Sequence, residues 1–178
     1  ATILATFCLH EDGFCDTADG FGGGTTRERK LEIMRDSRIG TYGAAALALT
    51  ILLRWTALAG LETIPNVLAG LLAAHAASRG LIPGFMHLLP SARSSGLAAD
   101  AGAPPTETAL AGAALGALCL LVLGVPAALF CALLLCLWFI AFRKLCLAQI
   151  GGHTGDTIGA MQQGGEILVL LVASAVLT

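Results

Sequence analysis

The chain has 178 residues, of which 56% are hydrophobic and only 12% are charged, with a formal net charge of −2. A mean hydropathy of +0.81 excludes an ordinary soluble domain of this size and favours a multi-pass membrane protein. The small net charge gives no sign of a nucleic-acid partner, and we expect none.

The first distinctive stretch is LHEDGFCDTADGFGGG, residues 9–24, which holds four acidic residues within nine positions. Asp12, Asp16 and Asp19 have the spacing i, i+4, i+7, which on a helix places them within an arc of about 60°. Like charges this close destabilise one another unless a cation lies between them, and Mg²⁺ prefers carboxylate oxygens. We therefore predict a Mg²⁺ site here. A solvated acidic helix start is the simpler alternative.

Basic residues dominate the next stretch, RERKLEIMRDSRIGTYG, residues 27–43. Arg35 and Arg38 lie three positions apart, and the planar guanidinium fork suits the oxygens of a phosphate. We predict that both bind substrate phosphate. The cations at 27–30 are equally explained as charges that keep this segment in the cytoplasm.

The rest of the chain is mostly apolar, and we interpret it as a set of membrane segments separated by polar stretches. The predicted segments are 43–61, 64–90, 108–125, 126–142 and a shorter last one at 166–178. The positive-inside rule gives one topology that brings every charged stretch, including 10–42, to the cytoplasmic face. The predicted fold is therefore an all-α, polytopic integral membrane helix bundle, a single domain over 1–178 with polar segments at that face.

Several ionisable residues interrupt the apolar segments. Arg79 stands in a Ser-Arg-Gly break and Arg93 in the polar stretch 89–102, and both are expected to face an anionic ligand. Arg54 lies near the outer end of its segment, where its side chain can reach the interface. For His75, packing with a satisfied hydrogen bond is the simpler interpretation.

A second glycine-rich stretch, GGHTGDTIGAMQQGGE, covers residues 151–166. Asp156 lies on this predicted loop, ahead of a helix. Its carboxylate is suited to complete the metal site or to contact a ribose or base, although aspartates are common in ordinary loops. His153 and Glu166 are weaker candidates.

These stretches resemble the motifs of the cobalamin synthase family, the adenosylcobinamide-GDP ribazoletransferases. The family motif His-x-Asp-Gly-x-x-Asp-x-x-Asp-Gly reads here as residues 10–20, and KLEIMRDSRIGTYG at 30–43 is similar to its next block. Further matches are the Ser-Arg pair at 78–79, the Ala-Arg-x-x-Gly-Leu loop at 92–97 and Gly-Gly-x-Thr-Gly-Asp-Thr at 151–157. The resemblance covers nearly the whole chain in the same order.

The resemblance implies the last assembly step of the cobalamin nucleotide loop, in an inner-membrane enzyme whose site faces the cytoplasm. α-Ribazole, or its 5′-phosphate, attacks the cobinamide-bonded phosphorus of adenosylcobinamide-GDP, and GMP leaves. The implied catalytic and Mg²⁺-binding residues are Asp12, Asp16, Asp19 and Asp156, and the implied phosphate-binding residues are Arg35, Arg38, Arg79 and Arg93. Either one aspartate or His10 is expected to accept the hydroxyl proton.

Two other functions stay open from the residues. A CDP-alcohol phosphatidyltransferase also pairs an aspartate cluster with Mg²⁺, but its motif has Ala-Arg where Cys15 and Asp16 stand here. A divalent-cation transporter would place its acidic residues near the bilayer midplane. The expected surroundings are the lipid bilayer and the two substrates, with a homo-oligomer left open. Because the chain starts at Ala1 and the family has earlier membrane sequence, we expect an N-terminally truncated fragment.

Overall fold

A computed structural model describes residues 4 and 6–177 of the chain. Helices dominate this part of the protein, and the only β-type pairing in it is one isolated bridge between Ser91 and His153. The prediction of an all-α fold is confirmed. In chain order the helices are α1 (Leu9–Gly23), α2 (Arg27–Ile33), α3 (Thr41–Ala59), α4 (Ile64–Gly80), α5 (Ile82–Leu88), α6 (Leu97–Ala101), α7 (Thr106–Leu120), α8 (Val125–Ile150) and α9 (Gly155–Val176), with a 3₁₀ turn at Leu121–Leu123.

Five helical stretches are long and apolar enough to cross a membrane. They are Thr41–Ala59, Ile64–Leu88, Thr106–Leu123, Val125–Ile150 and Gly155–Val176. Their outward faces carry many exposed leucines and other large apolar side chains, as lipid-facing helices do. The chain is therefore a multi-pass membrane helix bundle.

The polar connections gather at one end of this bundle. Ser91 bridges to His153, Arg93 donates a hydrogen bond to the Leu31 carbonyl, and Lys30 bonds to Gln149. The short α3–α4 connection lies at the other end of the bundle. All the positively charged segments therefore share one end, which we call the polar end.

Helix α1 lies almost entirely within the segment 10–42 that was predicted to be polar, and six of its residues are buried against other helices of the bundle, unlike the alternative of a solvated acidic helix. It runs antiparallel to α3, with Asp19 bonded to the Gly43 amide and Glu11 paired with Arg54. At 1.5 Å per residue, Arg54 is about 20 Å from the start of α3 and about 8 Å from its end. The acidic helix therefore extends from the polar end toward the middle of the bundle.

The last helix also differs from the prediction of a short segment at 166–178. It begins at Gly155, because Thr154 caps it: the Thr154 hydroxyl accepts from the Thr157 amide, and the Thr157 hydroxyl accepts from the Thr154 amide. The polar, glycine-rich stretch up to Glu166 is thus the first half of a membrane helix. Its polar side chains after Asp156, namely Thr157, Gln162, Gln163 and Glu166, are buried among other helices.

Candidate active site

Three helical or loop segments meet around a cavity of about 400 Å³ near the polar end. Asp12 reaches it from α1, Asp156 from the start of α9, and Arg93 from the 91–96 loop. Asp12 is exposed, whereas Asp16, one turn further along α1, is half-buried. The structure therefore brings the first sequence motif and the last one together, although they are far apart in the chain.

Gly13 makes this meeting possible. A Cβ at this position would lie 2.8 Å from the carbonyl oxygen of Asp156 and 2.9 Å from its Cα, closer than real Cβ contacts. Backbone atoms cannot rotate away as a long side chain can. The glycine of the Asp-Gly pair thus lets α1 lie directly against the start of α9.

Arg93 is held beside Asp156 by a backbone clasp. The Ala92 amide donates to the His153 carbonyl (2.8 Å), and the His153 amide donates to the Pro90 carbonyl (2.9 Å). The Arg93 Nη1 then lies 3.0 Å from Asp156 Oδ2, and both side chains are largely buried. Of the four predicted phosphate-binding arginines, Arg93 is the one that lines this cavity.

Asp19 has a different environment from the other aspartates of α1. Its carboxylate accepts hydrogen bonds from the Gly40 amide (2.7 Å) and the Gly43 amide (2.9 Å), and so caps the start of α3. A Cβ on either glycine would collide with this carboxylate. The aspartate motif and the following glycine block are therefore coupled through the N-terminus of α3.

Asp16 is half-buried and has three other carboxylates near it. Burial raises the pKa of its carboxyl to about 7, together with the negative charges of Asp12, Asp156 and Asp19, while Arg93 acts in the opposite direction. Among the described residues, no three His, Cys, Asp or Glu side chains converge closely enough to hold a metal ion as they stand. The donor chemistry still fits Mg²⁺, since the crowded groups are all carboxylates.

The remaining predicted arginines lie elsewhere. Arg35 is exposed, and Arg38 pairs with Asp36 at 2.6 Å and lines a separate cavity of about 590 Å³ on the Asp19 side of α1. Arg79 is inside the bundle, 2.8 Å from His75 Nδ1 and 3.5 Å from Glu166. The structure therefore does not bring the four arginines together around one ligand.

Sequence reasoning missed a buried ion network beneath the cavity. Arg54 lies five residues before the end of α3, but its side chain is 8% exposed and pairs with Glu11 and Glu166, each at 2.8 Å, instead of reaching the interface. Glu166 also lies 2.9 Å from His75 Nδ1. Ionisable residues in otherwise apolar segments are functional candidates by default, and that signal marks Arg54, His75 and Arg79 without showing which carboxylates they pair with.

His10 lies between the cavity and the ion network. It lines the cavity together with Asp12, although simple helical geometry directs the two side chains apart. Burial and the nearby Arg79 lower the pKa of its imidazole. The α9 backbone at Gly159 approaches His10 so closely that a Cβ there would lie 3.2 Å from the His10 Cα.

Known proteins match the whole chain. The sequence profile of the cobalamin-5-phosphate synthase family matches residues 1–174. Two proteins named adenosylcobinamide-GDP ribazoletransferase are similar to it: one of Mesorhizobium japonicum, 63% identical over 178 residues (100% of this chain, 69% of the relative), and one of Bradyrhizobium diazoefficiens, 55% identical over 175 residues (98% and 67%). A third, of Azorhizobium caulinodans, is 47% identical over 176 residues (95% and 67%). No solved structure matches the chain.

The chain thus spans about two thirds of the length of these relatives. The family profile matches residues 1–174, a range that includes every segment that forms the cavity and the ion network. The resemblance drawn from the motifs is confirmed. The chain belongs to the cobalamin-5-phosphate synthase family.

Proposed function

We propose that this chain carries out the transfer for which its relatives are named. A ribose hydroxyl of α-ribazole, or of its 5′-phosphate, attacks the cobinamide-bonded phosphorus of adenosylcobinamide-GDP. A new P–O bond forms, the bond from that phosphorus to the GMP oxygen breaks, and GMP leaves with the bonding electrons. The hydroxyl proton passes to a base in the site.

The meeting of Asp12, Asp156 and Arg93 in one cavity carries this proposal. Displacement at phosphorus needs alignment and charge neutralisation more than covalent help from the protein. Arg93 supports this role because its buried Nε has no hydrogen-bond partner among the described residues, which leaves a donor for a phosphate oxygen. His10 and Asp12 line the same cavity, and we propose that one of them accepts the hydroxyl proton.

We propose that Mg²⁺ binds to the carboxylates of Asp12, Asp16 and Asp156, with Asp19 as a further ligand. Burial and then the charges of Asp12, Asp156 and Asp19 raise the pKa of Asp16, and a divalent cation would relieve the repulsion among these carboxylates. When bound, Mg²⁺ would neutralise the diphosphate and the charge that develops on departing GMP. Asp19 would meanwhile keep its two amide contacts and so connect the site to α3.

We further propose that the bundle lies in the inner membrane with its polar end in the cytoplasm. The support is the concentration of Lys and Arg at that end, since cytoplasmic connections are rich in these residues. The cations concerned are Arg27, Arg29, Lys30, Arg35, Arg38, Arg93, Arg143 and Lys144. In this orientation the cavity opens toward the compartment that holds the soluble substrates, and exposed Arg35 and Arg38 are available to the outer parts of a large substrate.

The other two functions fit the molecule less well. The residues after the first Asp-Gly are Phe14, Cys15 and Asp16, not the Ala-Arg of CDP-alcohol phosphatidyltransferases. A cation pathway needs uncompensated acidic groups in the span, whereas the buried carboxylates of Glu11 and Glu166 are paired with Arg54.

The test is GMP release from adenosylcobinamide-GDP by the chain in membranes, with α-ribazole or its 5′-phosphate as acceptor. We expect GMP and the cobalamin product to appear in equal amounts. Asp16→Asn should abolish both while expression and membrane insertion stay unchanged. Full activity of this variant would remove Asp16 from the site, and the absence of product with either acceptor would overturn the assignment.

A further inference from the structure

The buried ion network joins four helices into one connected unit. From Arg54 of α3, Nη1 contacts Glu11 of α1 and Nη2 contacts Glu166 of α9, both at 2.8 Å. Glu166 Oε2 continues to His75 and Arg79 of α4. Two amide side chains donate further hydrogen bonds to these carboxylates: Gln163 to Glu11 at 2.8 Å and Gln162 to Glu166 at 2.7 Å.

The charges of this network balance. Two carboxylates, Glu11 and Glu166, face two guanidinium groups, Arg54 and Arg79, with His75 beside them. Ionised groups inside a membrane span are costly unless they are paired in this way. The network therefore has a definite geometry, because each displaced member would leave another charge without its partner.

The ion network connects the two helices that carry the aspartates of the cavity. Glu11 directly precedes Asp12, and Glu166 lies on the same helix as Asp156, about 15 Å along the axis at 1.5 Å per residue. Arg54 thus holds both helices that supply the acidic groups. Gly13 meanwhile forms the contact between these helices at the level of the cavity.

We propose that the ion network centred on Arg54 is a positioning device, which seats α1 against α9 and sets the spacing of Asp12 and Asp16 from Asp156. Only the expected effect on catalysis rests on the proposed function; the expected effect on helix packing does not. Arg54 does not line the cavity, so it acts through Glu11 and Glu166. Replacing residues that orient metal ligands without binding the metal themselves typically lowers metal affinity or activity by about 10- to 100-fold.

Two variants separate positioning from general stability. Arg54→Met leaves Glu11 without its cation, whereas Glu11→Leu/Arg54→Met removes one charge of each sign and leaves Glu166 with Arg79 and His75. The double variant should therefore regain much of the thermal stability that the single variant loses. Arg29→Met is the matched control, since Arg29 pairs with Glu32 in an exposed position.

The first readout is amide hydrogen exchange of the purified protein in detergent, measured separately for α1 and for α7. Helix α7 contributes no residue to the network. In both Arg54 variants, exchange of residues 12–16 should accelerate at least about tenfold while α7 changes little. Arg54→Lys, which keeps the charge but not the two-point fork, replaces Arg54→Met if that protein does not accumulate. Equal acceleration in both helices, or none, would overturn the proposal.

The second readout is Mn²⁺ binding, followed through the electron paramagnetic resonance signal of the free ion. In the double variant we expect affinity to fall at least about tenfold and kcat for GMP release to fall with it. If the double variant keeps the stability, hydrogen exchange and Mn²⁺ affinity of the wild type, the ion network does not position α1 against α9, and the proposal is wrong. If the wild-type chain neither binds Mn²⁺ nor releases GMP, the proposed function fails, and the exchange measurement still decides whether Arg54 positions α1.

Discussion

Replacement of Gly13 by alanine tests whether the contact between α1 and α9 builds the site. The new Cβ would lie 2.8 Å from the Asp156 carbonyl oxygen, where ordinary contacts begin at 3.4 Å, so the helices must separate by about 0.6 Å. Overpacking of this kind costs roughly 1–3 kcal/mol of folding free energy. A displacement approaching 1 Å between reacting groups can lower a rate by about 100-fold, so we expect kcat to fall about 10- to 100-fold.

The assay is GMP release in membranes, with thermal unfolding of the same preparation in detergent. Gly23→Ala is the matched control on the same helix, because its Cβ would meet only Ile33 Cδ1 at an ordinary 3.6 Å. Alanine is the better helix former, so this control should keep full activity and at least wild-type stability. A Gly13→Ala enzyme with wild-type kcat would show that the close approach of the two helices does not determine the site.

Three further predictions concern the carboxylates. Gly43→Ala should lower both thermal stability and GMP release, because the new methyl group displaces Asp19 from the start of α3; normal unfolding and activity would argue against this cap. Without metal, the raised pKa of Asp16 stabilises the fold fully below about pH 4, and this contribution disappears as pH rises through about 7. Asp16→Asn should therefore unfold at a higher temperature than wild type at pH 8 in EDTA, with the difference vanishing at low pH, whereas a pH-independent difference would contradict the assigned shift. Chelation by EDTA should stop GMP release and Mg²⁺ should restore it, whereas turnover without metal would refute the proposed metal role.

The sequence predicts well those features that depend on local periodicity. The spacing of Asp12, Asp16 and Asp19 indicates one helix, and all three do lie on α1. The different surroundings of the three aspartates cannot be predicted from the local sequence, because they depend on which distant segment packs against each turn of α1. Asp19 meets the start of α3 because Gly40 and Gly43 leave space for it, and helical angles carry no information about that contact.

The ion network could not be predicted as a unit from the sequence. Glu11, Arg54 and Glu166 are distant in the chain, and each is a single charge within a different pattern. The glycine and polar residues of the stretch 151–166 favour a loop around Asp156 ahead of a helix, whereas the helix already begins at Gly155. In the folded protein its glycines allow close helix contacts, and Gln162 and Gln163 bond to buried carboxylates. Composition alone does not separate a polar helix face buried in a bundle from a solvated loop.

The clasp between residues 90–92 and His153 has a consequence for how the cavity can vary. It fixes Arg93 beside Asp156, whereas the adjoining α6 is flanked by Gly96 (φ 114°) and Gly102 (φ 69°), and a Cβ at either glycine would meet no atom within 4 Å. The wall formed by Leu97–Ala101 can therefore change shape or sequence without disturbing the charged pair. If the proposed acceptor binds against this wall, changes in Leu97–Ala101 would alter the preference for one acceptor and leave the contact between Arg93 and Asp156 in place.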